Sequence, residues 1–211
     1  MRHTNKGVKV NYKVKDFIDN IVPLIEIDRS FQRKSCWSEK TCRSYIESAH
    51  LNRTPYPIVV ADAKSGETHS IDEGDHVGAN KYASIIRRRK DYISLDGQNR
   101  VNAWSRLFND EIHLVGTWID ANGDEVSLKQ SGQLFSQLPV RLQDKLKDTQ
   151  VSMCIMRNCK YNDLHDIFVN INSGDALNSQ EKRNAINTDI SEFIRKRAEA
   201  PSTAKMVPLI N

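Results

Sequence analysis

Between Val8 and Val14 apolar and polar residues alternate, with Val8, Val10, Tyr12 and Val14 on one side. This period of two predicts a half-buried strand. From Asp16 to Val22 the apolar positions Phe17, Ile18, Ile21 and Val22 fall on one face of a short predicted helix. Pro23 ends it, and Leu24–Ile27 reads as a strand. Ser38 is placed to cap a helix carrying Tyr45, Ile46 and Ala49, which stops before Asn52. Pro55 and Pro57 mark a turn ahead of a buried strand at Ile58–Val60.

Residues 62–90 break the pattern. Gly66, Gly74 and Gly78 stand among many charges with almost no apolar periodicity, which predicts an exposed hairpin or mobile excursion. A strand at Tyr92–Leu95 then leads into a helix with Val101, Trp104, Leu107 and Phe108 inward. Residues 112–119 and 125–128 flank Asn122-Gly123, a hairpin signal. Phe135, Leu138, Leu142 and Leu146 mark helical turns, and Val151–Met156 reads as a central strand. Asn162 can cap a helix with Leu164, Ile167, Phe168 and Ile171 on one face and Gly174 at its end. Asn178 with Glu181 opens a last predicted helix containing Ala185, Ile186, Phe193 and Ile194, and an irregular tail runs from Pro201. The expected fold class is α+β, a small mixed sheet with helices packed on it.

The 211 residues suit one large domain or one domain with a helical appendage. A net charge of +4 is compatible with an anionic partner and well short of a dedicated nucleic-acid module. No apolar run approaches membrane-span length and no signal-peptide core is evident, so a soluble, cytoplasmic protein without a membrane partner is expected. Cys36, Cys42, Cys154 and Cys159 lack the spacing of zinc clips and read as reduced packing residues.

The densest chemistry lies at Asp96-Gly97-Gln98-Asn99-Arg100, where an apolar run meets a polar turn that opens a helix. Gly97 permits a sharp turn and close approach of a ligand. The helix start offers unpaired N–H groups and a positive dipole end, and Arg100 adds a forked cation suited to phosphate or carboxylate. A plain strand–turn–helix junction, with Asp96 as the helix cap, accounts for the same residues. No G-x-x-x-x-G-K-[ST] loop occurs in the chain. The run Arg87-Arg88-Arg89-Lys90 is either a solvated face or a phosphate-tracking patch beside the Asp96 turn.

Two further segments join this turn: Phe31-Gln32-Arg33 with Trp37, and Phe168-Val169-Asn170-Ile171-Asn172 followed by Leu177, Glu181 and Asn184. The ordered set resembles the N-terminal domain of GmrSD-type restriction proteins, in the wider ParB/sulfiredoxin-like superfamily. There, an aromatic-Gln-Arg…Trp segment precedes an Asp-Gly-Gln-Gln-Arg turn and a Phe-x-x-x-Asn-x-x-x-x-Leu-x-x-x-Glu segment. Here Asn99 stands in place of the second Gln of the turn. The resemblance spans residues 12–195 and implies a ParB-like core over 8–160, a helical segment over 161–200 that completes the site, and a tail over 201–211.

It further implies nucleotide chemistry. Asp96, Gln98 and Arg100 are expected to act on a nucleoside triphosphate, with Asp96 directed at Mg²⁺ and Gln98 at an attacking water. Gln32, Arg33, Gly97, Asn99, Asn172 and Glu181 are expected to hold the nucleotide, and Arg87–Lys90 to touch DNA. GmrSD-type proteins also carry a nuclease domain with a His-containing metal site, and the scattered His residues here lead to the expectation that any cleavage comes either from a separate nuclease subunit or from the superfamily core itself. Three functions therefore compete. The first is a nucleotide-binding, NTP-hydrolysing domain for restriction of modified DNA. The second is a ParB-like DNA-binding or nuclease module without NTP turnover. The third is an inactive protein that competes with a restriction partner.

Overall fold

The computed structural model describes residues 7–28, 37–53 and 56–172, without side-chain placement for Val169, Asn170 and Asn172. Strand β1 (Gly7–Lys13) carries the predicted alternation and runs into α1 (Val14–Asp16), a wider π turn at Phe17–Ile21 and a 3₁₀ turn at Val22–Leu24. The short β2 (Ile25–Glu26) follows. Ser38 caps α2 (Glu39–His50), its hydroxyl accepting the Thr41 amide at 3.2 Å. Then come β3 (Ile58–Asp62), α3 (Ala63–Asp72), α4 (His76–Arg87), β4 (Tyr92–Asp96) and α5 (Gln98–Phe108). The predicted hairpin forms as β5 (Thr117–Ile119) and β6 (Glu125–Ser127) around Asn122-Gly123. A 3₁₀ turn at Phe135–Gln137, α6 (Val140–Lys147), β7 (Gln150–Met156) and α7 (Asp163–Asn172) complete the described chain.

Five strands form one mixed sheet in the order β1-β7-β3-β4-β2, and β5 and β6 stand apart as their own pair. Strand β3 runs parallel to β7 and antiparallel to β4, while β1 is antiparallel to β7 and β2 parallel to β4. Successive residues of a strand face opposite sides. Ile58 and Val60 of β3, with Val151, Met153 and Ile155 of β7, pack on α2, α5 and α6. Val59 and Ala61, with Cys154 and Met156, pack instead with Ile93 and Leu95 of β4 against α3, α4 and α7. The mixed α+β class and the internal position of β7 match expectation. Among the described residues no helix is long and apolar enough to cross a membrane.

Residues 62–90 differ from expectation. They form a helical hairpin of α3 and α4, with Tyr82 fully buried and Ile85 nearly so. Asp62 caps α3 through the Ser65 amide at 2.9 Å, and Asp75 caps α4 through the Gly78 amide at 2.9 Å. The helical period was present but hidden. The inward positions of α3 are Ala63, Gly66 and Ser70, too small or polar to register as an apolar stripe. Their smallness has a use, because the Tyr82 ring lies on Gly66 and its hydroxyl reaches the Cys159 carbonyl at 2.7 Å. Of the expected 161–200 helical segment, α7 is seen. Residues 173–200 and the tail over 201–211 lie outside the described residues.

A Cβ built on Gly66 stands 2.3 Å from the Tyr82 ring. Gly66→Ala should therefore lower the unfolding free energy by about 1–3 kcal/mol. Ser70→Ala on the same face, which removes a buried hydroxyl with no hydrogen-bond partner, should be neutral or mildly stabilising. Urea unfolding of both variants checks the pair.

Candidate functional site

The candidate turn is where β4 ends and α5 begins. Gly97 adopts a left-handed conformation with φ +101°. A Cβ there would stand 3.0–3.2 Å from the main chain and side chain of Ile58. Both the torsion and the contact with β3 therefore require glycine. Gly97 also serves as the helix N-cap and supplies no side-chain acceptor for the first turn of α5.

Asp96 does not cap the helix. Its Oδ2 receives the Arg100 guanidinium, one helical turn on, in a close ion pair. The other end of that guanidinium donates to the Tyr56 carbonyl at 3.0 Å and the Pro57 carbonyl at 2.7 Å. The Arg100 side chain is only 13% exposed and that of Asp96 29%. One arginine thus ties the approach to β3, the end of β4 and the first turn of α5 together. Because Asp96 neutralises it, the net positive character of the turn comes mainly from the helix end. Gln98 and Asn99 are half-buried on the same turn.

Aromatic side chains back this clamp. The Trp37 ring lies 5.5 Å from Tyr45, which in turn lies 6.4 Å from Trp104 of α5. Burial pushes the Tyr45 phenol above its ordinary pKa, and the nearby Arg100 charge opposes that rise. Arg106 of α5 donates to the Trp37 carbonyl at 3.4 Å. The end of the Phe31…Trp37 segment is thereby fixed over the helix that the Asp96 turn opens. On the other face, Leu164 and Ile167 of α7 pack with Ile93 and Leu95 of β4. The described parts of the motif segments thus lie on opposite faces of the sheet, Trp37 against α5 on one and α7 against β4 on the other.

Gln32, Arg33 and Glu181 lie outside the described residues, as does the Asn172 side chain. The basic run is not beside the Asp96 turn. It precedes β4 while the turn follows it, so the strand separates them by on the order of 15 Å. Arg87, Arg88 and Arg89 are all exposed, Arg88 pairs with Glu26 at 2.9 Å, and Lys90 donates to the Pro23 carbonyl at 2.6 Å. Cys42, Cys154 and Cys159 are buried, and burial pushes the Cys159 thiol up to about 12. Among the described residues no group of three or more His, Cys, Asp or Glu side chains could hold a metal ion.

Sequence reasoning missed the Tyr56 and Pro57 carbonyls, because a main-chain acceptor leaves no residue-type signal. Tyr45 was placed only as a core position, since its proximity to Arg100 arises from α2 packing on α5. No protein-family model, curated protein or solved structure matches the chain.

Arg100→Met should lower stability by about 2–3 kcal/mol, because it strands two carbonyls and a half-buried carboxylate. Arg100→Lys should recover only part of this, as an ammonium cannot span all three acceptors. Chemical denaturation of both variants checks the clamp.

Proposed function

We propose that the β4–α5 turn binds the phosphates of a nucleoside triphosphate, and that the chain serves nucleotide-linked restriction of modified DNA. This is the role implied by its resemblance to the GmrSD-type N-terminal domain and the ParB/sulfiredoxin-like superfamily. The observation that carries the phosphate reading is the start of α5 on a left-handed glycine, which has no side chain of its own to cap the helix or stand in the way of an incoming oxyanion. The five-stranded mixed sheet with helices on both faces is compatible with a ParB/sulfiredoxin-like core.

The clamp refines the roles. Arg100 acts first as a positioning residue that holds Asp96 and the 56–57 main chain. On this reading the start of α5 meets the phosphate, and the Gln98 carboxamide would orient a water. Asp96 alone cannot cage a metal. Mg²⁺ would enter with the phosphates, and among the described residues Asp96 is the one that would help to hold it. When bound, such an ion neutralises phosphate charge.

Gln98→Glu separates folding from binding. A carboxylate in the first turn of a helix stabilises it by about 0.3–1 kcal/mol but repels a phosphate. The variant should melt at or above the wild-type temperature, while the rise in melting temperature that an NTP with Mg²⁺ gives the wild type is lost. A wild type indifferent to ATP, GTP, CTP and UTP would overturn the proposal.

A further inference from the structure

His50 is the last residue of α2, only 5% exposed, and neither ring nitrogen makes a hydrogen bond. Its ring lies 5.4 Å from the Trp118 ring of β5 at an interplanar angle of 58°. A buried imidazole normally has a partner for at least one nitrogen. Here an apolar lid, the Trp118 ring, covers a group that water would otherwise satisfy.

That ring belongs to a short hairpin outside the main sheet. The β5–β6 hairpin is separate from the main sheet and has only three residue pairs. It touches the core through Trp118, Val126 and Leu128, and the indole donates to its own Val115 carbonyl at 2.8 Å. An isolated two-stranded hairpin is marginal in water, so lifting it costs less than opening the helices that also surround His50.

The charges around the ring are Glu47 of α2 and Lys145 of α6. The hairpin brings the Trp118 ring and the Ile119 main chain, which favours the charged ring but falls outside hydrogen-bonding geometry. Asp120, next along, turns its carboxylate onto the Asn122 and Asp124 amides at 2.8 and 3.1 Å.

We propose that the β5–β6 hairpin is a proton-released flap: it closes over α2 while His50 is neutral and lifts with Trp118 when the ring takes a proton. Burial, with the Lys145 charge adding to it, holds His50 below its ordinary value of 6.5, so the closed form is the neutral one near pH 7. The open hairpin leaves the ring in water, where it regains that ordinary value. As pH falls below 6.5 the open form binds more protons, and closure weakens until the pKa of the closed form is passed.

Hydrogen exchange of the whole chain at pH 7.5 and 5.5, corrected for intrinsic exchange chemistry, tests this, with peptides covering 114–128 compared with those covering β3, β4 and β7. The expected result is a loss of protection in the hairpin on the order of tenfold at pH 5.5, with the central strands unchanged. His50→Phe, which cannot titrate, should hold the hairpin protected at both pH values. Should that variant fail to fold, His50→Gln serves in its place with the same expectation. Equal loss across the sheet, no loss in the wild type, or an unaltered pH response in the variant would each overturn the proposal.

Discussion

A missing side chain at Gly97 is the constraint on which the candidate site depends. With a Cβ, the turn would have to leave a left-handed torsion and also withdraw from Ile58 of β3. Either movement would pull the start of α5 away from the sheet. Because α5 carries Trp104 and Leu107 into the core beside α2, the turn's geometry is coupled to the packing of the whole face. The same absence that fixes the helix leaves its N-cap position without a side chain. Structure and binding capacity thus have one cause at this position.

The Arg100 clamp works on the opposite principle, by adding bonds. Forked donors suit a junction where two carbonyls and a carboxylate converge from two chain segments. A guanidinium so engaged is a poor first contact for a phosphate, since taking up a new anion would mean abandoning existing acceptors. Under the proposed reading the work is divided, with the arginine for rigidity and the main chain for the anion. A site held this way loses little conformational entropy when occupied, which favours binding even without an unpaired cation.

Most of the elements were legible in the sequence because their signals are local. The Ser38 cap, the Asn122-Gly123 hairpin and the Val101/Trp104/Leu107 stripe each act within a few residues, and each forms. The helical pair α3–α4 was not legible. Its inward residues are small because a tyrosine from the partner helix fills their space, and a pattern of large apolar side chains cannot report a gap. For the same reason Asp96 and Gly97 could be singled out, whereas the role of Arg100 could not. Its acceptors at Tyr56 and Pro57 are main-chain atoms some forty residues earlier, brought close only when β3 pairs with β4.

The placement of the charged residues bears on how an anionic partner would be met. Arg88 and Lys90 pin the end of α4 to the β2 edge, so half of the basic run is spent on holding the fold. The turn, at the far end of β4, takes its positive character from peptide dipoles aligned along α5. Such a field is short-ranged and directional, suited to a phosphate that enters close to the helix axis and poorly suited to tracking an extended backbone. Long-range attraction of a polyanion requires clustered, solvated cations, and within the basic run Arg88 and Lys90 already have partners. On these grounds a compact polyphosphate matches the turn better than a duplex does.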